Sequence, residues 1–468
     1  MNISLDDIKA INGVQAVNAV EPWHAEGAST DTRKPLSNAL FVAIKGEHYD
    51  GHAFVRDAAS RGAAGIVMKK GSLNPFEHTD RTPPVFFTED TVEFLGALAH
   101  ALRQRYKPTV ITITGSNGKT TTKEMISGLL SGTYATGRTE GNLNNRIGLP
   151  LSMLNMDQAV RIWVLELGTS GYGELAGLAE IATPDIGVLT NIGRAHLEFF
   201  HDLQGVARAK AEMFTAMGPE GVAVMNADDP LVMDIARSFK GRVLTAGFSS
   251  HAQLRIQSYV IRPGGMDVTV AFEGGEHTLS TQMTGRHYLL DMALAIRCAR
   301  HLDVGWDAIR EACARFVPFK GRGSVMNYAN GVTVIDDSYN ANPDSMRSGF
   351  SAAVERYGAA HIVAVIGDML ELGTQTAVQH AALGEFLAGQ GIRTFILIGK
   401  YADSTREGIH ASGVQEVDVH MTDDLQSAAD KLVLLSKPGT AIYVKGSRSM
   451  KLDQLIGAYD ARMRGSHA

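Results

Sequence analysis

The sequence predicts an α/β protein of three domains, with a P-loop-type sheet in the central domain and a Rossmann-like, doubly wound sheet in the C-terminal one. Its 468 residues are too many for one ordinary core, because a domain holds roughly 150 residues. Hydrophobic residues make up 44% and charged residues 20% of a chain with 49 glycines, which is typical of globular proteins with many turns. Short apolar runs alternate with helical stretches, which indicates parallel strands covered by helices.

The first domain is predicted to span residues 1–107. Residues 39–44 form an apolar run typical of a strand, and residues 53–61 have helical periodicity. Lys107 and Pro108 then interrupt the alternation of elements, as proline does where a regular element ends. A boundary, and a hinge between domains, is therefore predicted at Pro108.

The second domain, residues 108–317, opens with a strand-loop-helix unit. The β-rich run Thr109–Thr114 leads into a glycine-rich loop and then into a helical stretch over Lys119–Leu130. Later apolar runs, each ending in polar residues as parallel strands do, cover 162–167, 186–190 and 222–225. Ligands of an open α/β sheet bind at the carboxyl ends of its strands, so a site is expected there.

The third domain, residues 318–468, restarts the same pattern beyond a second predicted hinge at Pro318. Its predicted strands cover 332–335, 362–366, 395–398 and 441–444. Such a series of apolar runs predicts another doubly wound sheet.

Charge and cysteine content exclude several classes of partner. A net charge of −6 and a pI near 6.2 provide no basic field for a phosphodiester backbone, so no nucleic acid is expected. Two cysteines, Cys298 and Cys313, are too few for a disulfide framework and are interpreted as buried core residues. No apolar run reaches the roughly 18 residues of a membrane span. A cytoplasmic protein without membrane insertion is therefore expected.

The run Thr114-Gly115-Ser116-Asn117-Gly118-Lys119-Thr120-Thr121 has the pattern of a phosphate-binding loop. Glycines let backbone N–H groups approach phosphate oxygens, and the following helix adds its positive N-terminal end. Lys119 is expected to contact the β and γ phosphates and Thr120 to ligate Mg²⁺. Ile113 occupies the place of the usual first glycine, which makes this a shortened variant. The alternative is a tight turn between a strand and a helix.

Three further polar residues of the central domain are candidates for the site. Glu166 ends a strand, where a carboxylate suits a magnesium ligand, although a capping or salt-bridged glutamate has the same appearance. His196, in a loop after the next strand, is expected to ligate a second magnesium or orient a carboxylate, against a structural histidine as the alternative. Lys210 lies on a predicted helix, where the residues alone favour a solvated lysine paired with nearby acids.

The set of motifs resembles the Mur ligases over nearly the whole chain. The phosphate loop marks only the wider superfamily. More specific are the Asn-rich run Gly141-Asn142-Leu143-Asn144-Asn145, the run Asp336-Asp337-Ser338-Tyr339-Asn340-Ala341-Asn342-Pro343, and the closing Val444-Lys445-Gly446-Ser447-Arg448-Ser449. The resemblance implies an N-terminal domain for the UDP end of a substrate, a central ATPase domain, and a C-terminal domain that closes over the site.

The activity implied by the resemblance is ATP-dependent amide-bond formation. The Asn-rich and Asp-Asp-Ser-Tyr segments point to the member that adds D-alanyl-D-alanine to UDP-N-acetylmuramoyl-tripeptide through an acyl phosphate. That reaction completes the pentapeptide precursor of peptidoglycan in the cytoplasm, and we expect the enzyme to be a monomer. The alternatives are a sister ligase that extends folates with glutamate, an ATP-driven switch that regulates a protein partner, and a non-catalytic nucleotide-binding scaffold.

The resemblance also assigns residues to roles. Catalysis and magnesium binding fall to Lys119, Thr120, Glu166, His196 and Lys210, with Lys210 matching a lysine that the family carbamylates; an anion there would support Mg²⁺ where an ammonium repels it. ATP binding falls to Gly115, Ser116, Asn117, Gly118, Lys119, Thr120, Thr121, Asn191, His287, Asp291, Arg322 and Asp337. Substrate binding falls to Asp31, Thr32, Arg33, Lys45, Gly46, Asn142, Asn144, Asn145, Tyr339, Asn340, Lys445 and Ser447.

One segment departs from the family pattern. Where Mur ligases usually have Gly-x-His-Asn-x-x-Asn, this chain has Gly285-Arg286-His287-Tyr288-Leu289-Leu290-Asp291. Tyr288 and Asp291 therefore replace two asparagines. An ionised Asp291 accepts a hydrogen bond from an adenine amino group but cannot donate one as asparagine does.

Overall fold

The computed structural model describes residues 1–76 and 82–465, so the last three residues of the predicted third domain lie outside it. Strands are organised in three main sheets, each built from one continuous part of the chain, and a two-stranded ribbon. The predicted boundaries at residues 107/108 and 317/318 fall between these sheets, and they stay predictions. Within the described residues, no helix is both long and apolar enough to cross a membrane.

The N-terminal unit contains a five-stranded sheet. Its elements are β1 (Asn2–Ser4), α1 (Leu5–Lys9), β2 (Gln15–Val17), β3 (His24–Glu26), β4 (Ala28–Ser29), β5 (Leu40–Val42), a 3-10 helix (Gly51–Phe54), α2 (Val55–Ser60), β6 (Gly65–Lys69), β7 (Val85–Thr88) and α3 (Thr91–Tyr106). The sheet order is β2-β7-β6-β5-β4, parallel except for β2, while β1 pairs with β3. Asp90 caps α3 by accepting hydrogen bonds from the backbone of Val92 and Glu93.

The central unit contains a nine-stranded sheet. Its strands are β8 (Thr109–Thr114), β9 (Thr136–Arg138), β10 (Ile162–Glu166), β11 (Ile186–Leu189), β12 (Val222–Asn226), β13 (Arg242–Gly247), β14 (Leu254–Arg262), β15 (Gly265–Phe272) and β16 (Gly275–Thr281). Its helices are α4 (Lys119–Leu130), α5 (Gly148–Leu154), α6 (Glu174–Ala182), α7 (Leu197–Phe200), α8 (Leu203–Ala211), a 3-10 helix (Glu212–Phe214), α9 (Pro230–Ser238), α10 (Arg286–His301) and α11 (Trp306–Ala314).

Within this sheet the order is β16-β15-β14-β13-β12-β11-β8-β10-β9. The six strands β8 to β13 are parallel, and β8 lies between β10 and β11, so the carboxyl ends of these three strands meet at one edge. β14, β15 and β16 form an antiparallel meander that the sequence analysis did not predict. Glycine pairs at its two turns, Gly264-Gly265 and Gly274-Gly275, were the available signal.

The C-terminal unit contains a six-stranded sheet with the order β17-β18-β22-β19-β20-β21, parallel apart from β17. Its strands are β17 (Ser324–Asn327), β18 (Thr333–Asp336), β19 (Ile362–Gly367), β20 (Thr394–Ile398), β21 (Asp418–Met421) and β22 (Ala441–Lys445). Its helices are α12 (Pro343–Tyr357), α13 (Thr376–Gly389), α14 (Ala402–Ala411), α15 (Leu425–Leu435) and α16 (Leu452–Gly465), with 3-10 helices at Ala359–His361, Gly373–Gln375 and Arg448–Met450. The predicted doubly wound α/β fold is confirmed.

A continuous apolar core joins the N-terminal and central units. Phe94 and Leu98 of α3 belong to the same buried cluster as Trp163 and Leu165 of β10. Side-chain hydrogen bonds reinforce this junction: Asn155, which follows α5, donates to the carbonyl of Ala28 at 2.8 Å and accepts from its N–H at 3.1 Å. The N-terminal sheet is therefore fixed to the central sheet by both apolar packing and the side-chain hydrogen bonds of Asn155.

Candidate active site

A cavity of about 650 Å³ opens at the carboxyl ends of β8, β10 and β11 and faces the carboxyl ends of β18 and β22. Most of the predicted site residues line it: Ser116, Asn117, Gly118, Lys119, Thr120, Thr121, Asn142, Asn144, Asn145, Glu166, Asn191, His196, His287, Asp291, Arg322, Asp337, Tyr339, Asn340 and Lys445. The cavity thus lies where the central and C-terminal sheets meet, as a site at the strand ends requires.

The loop between β8 and α4 has the geometry of an anion site. Gly118 is the N-cap of α4 with φ of +79°, and no side chain caps the first turn of the helix. A Cβ at this position would lie 2.2 Å from Oδ1 of Asp291, so only glycine fits. The uncapped N–H groups and the positive end of the helix dipole face the cavity, which suits a phosphate.

The loop after β11 holds the phosphate loop in place. The side chain of Asn191 accepts a hydrogen bond from the N–H of Asn117 at 2.9 Å and donates to its carbonyl at 3.1 Å. Ser116 Oγ accepts from the N–H of Gly193 at 2.8 Å. These bonds fix the backbone of the loop before any ligand arrives, which lowers the cost of ordering it on binding.

Lys119 folds back over the phosphate loop. Its Nζ donates to the carbonyl of Gly115 at 2.8 Å. Desolvation lowers its pKa, an effect that the nearby carboxylate of Glu166 opposes. The ammonium is therefore held at the cavity wall by backbone carbonyls, beside the place where phosphate oxygens would lie.

Glu166 is buried at the end of β10, 3% exposed, and directly beside Thr120. Its Oε2 accepts from Thr120 Oγ1 and its Oε1 from Asn144 Nδ2, both at 2.8 Å. Nζ of Lys123 lies 4.0 Å from Oε2. Two hydrogen-bond donors and a nearby cation therefore satisfy the oxygens of this buried side chain.

Lys123, on α4, lies beside Glu166 and was given no role in the sequence analysis. Its side chain is fully buried, and Nζ donates to the carbonyl of Thr139 at 2.7 Å. The hydroxyl of the same threonine accepts from the N–H of Glu166 at 3.1 Å. The available signal was helical spacing, because Lys123 lies four residues after Lys119 and so on the same face of α4.

Lys210 lies near the end of α8, 1% exposed, and does not line the cavity. Its pKa is well below the ordinary value for lysine, chiefly because of desolvation and next because of the Lys119 ammonium. Glu212 and Glu174 oppose that shift. The solvated surface lysine that the residues alone favoured is therefore wrong, and the structure has a buried amine that is close enough to Lys119 for the two charges to repel.

His196 lies at the junction of the central and C-terminal units. It is the N-cap of α7 in the left-handed region, with φ of +55°. Its Nδ1 is 2.6 Å from Oε2 of Glu371, which follows β19, and this pairing lowers the pKa of the Glu371 carboxyl. The backbone N–H of Glu198 also donates to the carbonyl of Glu371 at 3.1 Å. The histidine is thus oriented by the opposite unit.

The C-terminal wall of the cavity is organised around Asp337. Its Oδ2 accepts from Lys445 Nζ at 2.6 Å and from the hydroxyl of Tyr443 at 2.8 Å. Lys445 also donates to the carbonyl of Asn340 at 3.0 Å. The ring of Tyr339 packs against the guanidinium of Arg322, 4.3 Å from the ring centroid. These six residues come from β22, from the loop that follows β18, or from the linker that precedes this sheet.

The N-terminus of α12 reaches across the cavity to the central unit. Asn342, the N-cap of α12, donates to the side-chain oxygen of Asn117 at 2.7 Å. Asp344 accepts from the backbone N–H of Arg194 at 2.6 Å and from its guanidinium at 2.8 Å. The sequence analysis quoted the Asn342-Pro343 pair without giving it a role, although asparagine before proline is a helix-start signal.

The start of α10, which carries the segment that departs from the family pattern, also lines the cavity. Nδ1 of His287 is buried without a hydrogen-bond partner, and burial lowers the pKa of this histidine to about 4. The hydroxyl of Tyr288 donates to the carbonyl of Arg322 at 2.7 Å. Burial raises the pKa of Asp291 well above the ordinary value for aspartate. A neutral Asp291 would donate a hydrogen bond as well as accept one, in contrast to the ionised form considered from sequence.

Several predicted residues do not line the cavity: Gly115, Lys210, Ser447, Asp31, Thr32, Arg33, Lys45 and Gly46. Ser447 is nearly buried, and its hydroxyl accepts from the N–H of Leu370 at 3.0 Å. Arg33 is paired with Asp31, whose pKa the hydrogen bonds from Arg33 lower to about 2. Asn145 lines the cavity but also caps α5, accepting from the N–H of Gly148 at 2.9 Å.

Comparisons with known proteins match most of the chain. Residues 113–299 match the Mur ligase middle domain, and residues 321–448 match the Mur ligase, glutamate ligase domain. The UDP-N-acetylmuramoyl-tripeptide–D-alanyl-D-alanine ligase of Bacillus subtilis is 32% identical over 95% of both chains. The Escherichia coli protein of the same name is 33% identical over 92% of this chain and 93% of its own.

Solved structures give the same assignment. MurF from Acinetobacter baumannii superimposes with a TM-score of 0.87 at 27% identity, covering 98% of this chain and 99% of its own. The MurF ligase of Thermotoga maritima, solved in complex with ADP, has a TM-score of 0.84 at 28% identity, covering 94% and 99% of the two chains. The chain belongs to the Mur ligase family, in the group whose curated members are named UDP-N-acetylmuramoyl-tripeptide–D-alanyl-D-alanine ligases.

Proposed function

We propose that this chain is an ATP-dependent ligase that joins D-alanyl-D-alanine to UDP-N-acetylmuramoyl-tripeptide through an acyl phosphate. The single observation that carries the proposal is the contact of Thr120 with the buried Glu166 beside the ammonium of Lys119, in a chain related over its full length to ligases with this activity. The product is the pentapeptide precursor of peptidoglycan, and we expect the reaction in the cytoplasm by a monomer.

The phosphate loop fits ATP. Uncapped N–H groups at the start of α4 supply donors for phosphate oxygens, and Lys119 supplies a cation next to them. On α10, next to the phosphate loop, the unpartnered Nδ1 of His287 and the carboxyl of Asp291 offer polar contacts for a base. Asp337, between Lys445 and Tyr443, is the carboxylate that we assign to the ribose.

The oxygen donors beside the phosphate loop fit Mg²⁺. Thr120 Oγ1 and Glu166 Oε2 are 2.8 Å apart, and magnesium is commonly held by one or two protein oxygens, substrate phosphates and water. We assign the first ion to this pair, and a second to Glu166 and His196. The chemistry that Mg²⁺ supplies is neutralisation of the charge on the transferring phosphoryl group.

We also propose that Lys210 is carbamylated. A lysine adds to CO₂ through its neutral amine, and burial and the neighbouring Lys119 ammonium favour the neutral form here. Carbamylation replaces a repelled cation with an anion, which would attract Lys119 and support the oxygen ligands of a metal. The burial of Lys210 and its electrostatic coupling to Lys119 support this role.

In the first chemical step, the terminal carboxylate of the tripeptide attacks the γ-phosphorus of ATP, a P–O bond to ADP breaks, and an acyl phosphate forms. Lys119 lies where it can stabilise the developing charge, and the N–H groups of α4 hold the phosphates in line. The carboxylate oxygen becomes a bridging oxygen to phosphorus, which turns a poor acyl donor into a good one.

In the second step, the neutral amine of D-alanyl-D-alanine attacks the acyl carbon. The tetrahedral intermediate loses phosphate and a proton, which leaves the amide bond. We assign the incoming dipeptide to Tyr339, Asn340, Lys445 and Ser447, and the peptide of the acceptor to Asn142, Asn144 and Asn145. Closure of the C-terminal unit would exclude water from the acyl phosphate, and the polar pairs formed by Asn342 and Asp344 support such a closed state.

The UDP end of the acceptor is assigned to the N-terminal unit, with Asp31, Thr32, Arg33, Lys45 and Gly46. The Arg33 side chain is 89% exposed, so its guanidinium is accessible to a diphosphate although Asp31 now pairs with it. This assignment agrees with the domain limits 1–107, 108–317 and 318–468, which we propose for the chain.

The activity is tested by measuring phosphate release with ATP and Mg²⁺ while the two substrates are added singly and together. We expect release only with both, together with a pentapeptide product in the mass spectrum. Release without either substrate would indicate an ATP-driven switch. Release that depends on a different amine or a different acceptor would indicate a sister ligase.

A further inference from the structure

Beside the phosphate loop, the cavity contains a buried carboxyl group that takes no part in either chemical step. Asp291, on the first turns of α10, is 4% exposed and lies against Cα of Gly118. In the part of the chain that the structure describes, no lysine, arginine or histidine forms an ion pair with it. Its setting is the opposite of Glu166, whose two oxygens both accept hydrogen bonds from side chains.

Few charged or titratable groups face this carboxyl. Thr122 of α4 presents a hydroxyl, Arg322 of the linker presents a distant cation, and both favour ionisation. Tyr288, on the same helix, has its own pKa raised by burial and stays a neutral phenol. Desolvation outweighs Thr122 and Arg322 and raises the pKa of Asp291.

The phosphate loop gives an independent reason for a neutral carboxyl. Gly118, which contacts Asp291, is the residue whose N–H begins the anion site of α4. A carboxylate in contact with Gly118 would repel a triphosphate bound at the start of α4, because the medium there has a low dielectric constant. The protonated form removes that repulsion and retains both a hydrogen-bond donor and an acceptor.

We propose that Asp291 works as a neutral carboxylic acid whose O–H donates to N7 of adenine while its carbonyl oxygen accepts from the N6 amino group, so that it selects adenine nucleotides as an asparagine would. Asparagine reads this edge of adenine with the same donor and acceptor pair. Guanine presents two acceptors, O6 and N7, so the carbonyl oxygen would face an acceptor. The buried, unpartnered Nδ1 of His287 in the same cavity is a second polar atom that lacks a partner until a base is bound.

The proposal rests on the use of ATP in the proposed function and predicts a pH effect with a defined sign. Because the pKa of Asp291 is raised, the neutral form predominates below that pKa and is lost as the pH rises through it. Affinity for ADP should therefore fall as Asp291 ionises. An Asp291→Asn variant keeps the donor at every pH, and its affinity should not fall.

The test uses the full-length chain with three changes, Asp291→Asn, Asp291→Leu and, as a matched control, Asp303→Asn just beyond the same helix. Asp303 is exposed and has φ of +60°, which asparagine tolerates. Isothermal titration with ADP and GDP gives the affinities, and infrared difference spectra at neutral pH detect the carbonyl stretch of a protonated carboxylic acid. Circular dichroism melting confirms that each variant is folded.

We expect the wild type and the control to show the protonated-acid band, and both Asp291 variants to lack it. Asp291→Asn should bind ADP within about threefold of wild type, while Asp291→Leu should lose roughly tenfold or more in ADP affinity and most of the preference over GDP, the scale of one bidentate base contact. Absence of the band in the wild type, or ADP binding by Asp291→Leu as tight as by the wild type, would overturn the proposal.

The two proposals fail in different ways. A chain that binds ADP with these selectivities but forms no amide would remove the ligase proposal and leave Asp291 as the base-reading residue. If the chain forms the amide while Asp291→Leu keeps its ADP affinity and its preference for ADP over GDP, the ligase proposal stands and the role of Asp291 is removed.

Discussion

The two walls of the cavity are built differently. On the central wall, Asn191 braces Asn117, Lys119 bonds to Gly115, and Glu166 bonds to Thr120, all within one unit. On the C-terminal wall, Asp337 and Lys445 pair with each other, again within one unit. The walls are joined by hydrogen bonds of Asn342 and Asp344 and by the close contact of Glu371 with His196.

Because the two walls are built separately, nucleotide binding and turnover are expected to depend on different residues. The central wall has its phosphate site complete without the C-terminal unit, so it should bind nucleotide by itself. The joining pairs are polar and partly exposed, and such pairs contribute little to stability and separate at low cost. The buried apolar cluster that joins the N-terminal and central units also extends to Met346 and Phe350 of α12, so any opening of the site is expected at the polar pairs that line the cavity.

The largest effect is expected from a change on the central wall. Lys119→Ala removes the cation beside the phosphates and should lower turnover by roughly 10³-fold, the scale of a lost electrostatic contact in a transition state, and weaken ATP binding as well. Phosphate release and ADP titration measure the two effects. The exposed Lys437→Ala serves as a matched control and should resemble the wild type. Near-normal turnover in Lys119→Ala would favour the non-catalytic scaffold.

A smaller loss of turnover is expected from a change at Lys210, which is buried and does not line the cavity. Lys210→Ala removes the amine that we propose to be carbamylated, and turnover should fall roughly 10- to 100-fold, as for other groups that support a metal from behind its ligands. A short carboxylate such as acetate should restore part of the rate by replacing the lost anion, while the exposed Lys240→Ala should neither lose activity nor respond to acetate. Full activity in Lys210→Ala would remove carbamylation from the account.

Removing a contact that joins the two walls should lower turnover without weakening nucleotide binding. Asp344→Ala deletes both hydrogen bonds to Arg194, so we expect kcat to fall about tenfold while the Kd for ADP stays within about twofold, since the phosphate site is unaltered. The control is Asp403→Ala, which removes the first-turn aspartate of α14 in the same unit and has an equivalent effect on helix capping. Equal losses of ADP affinity and turnover would show that the walls do not act separately.

The same contrast explains what the sequence could predict. The phosphate loop and its helix lie within one short stretch, so a local pattern was enough to predict that Lys119 and Thr120 lie together at the end of β8, where both line the cavity. The strands of both parallel sheets were predicted for the same reason, because buried apolar runs are local signals. The carboxyl ends of those strands also placed Glu166 at the cavity.

Residues that act across the fold were harder to predict. Asn342 and Asp344 contact the central wall from more than a hundred positions away along the chain, and no spacing rule connects them to Asn117 or Arg194. The protonation of Asp291 depends on burial by Gly118 and its surroundings, which the sequence does not display. Without knowledge of burial, an aspartate in place of an asparagine is expected to be ionised.

The most direct test of the central claim follows the oxygen of the substrate carboxylate. The tripeptide substrate would be prepared with ¹⁸O in both oxygens of its terminal carboxyl group and turned over with ATP, Mg²⁺ and D-alanyl-D-alanine, and the released phosphate analysed by mass spectrometry. An acyl phosphate predicts that each phosphate released carries one ¹⁸O atom and that the other stays in the new amide. Phosphate that contains no ¹⁸O would mean that ATP is hydrolysed by water, and would contradict the ligase mechanism.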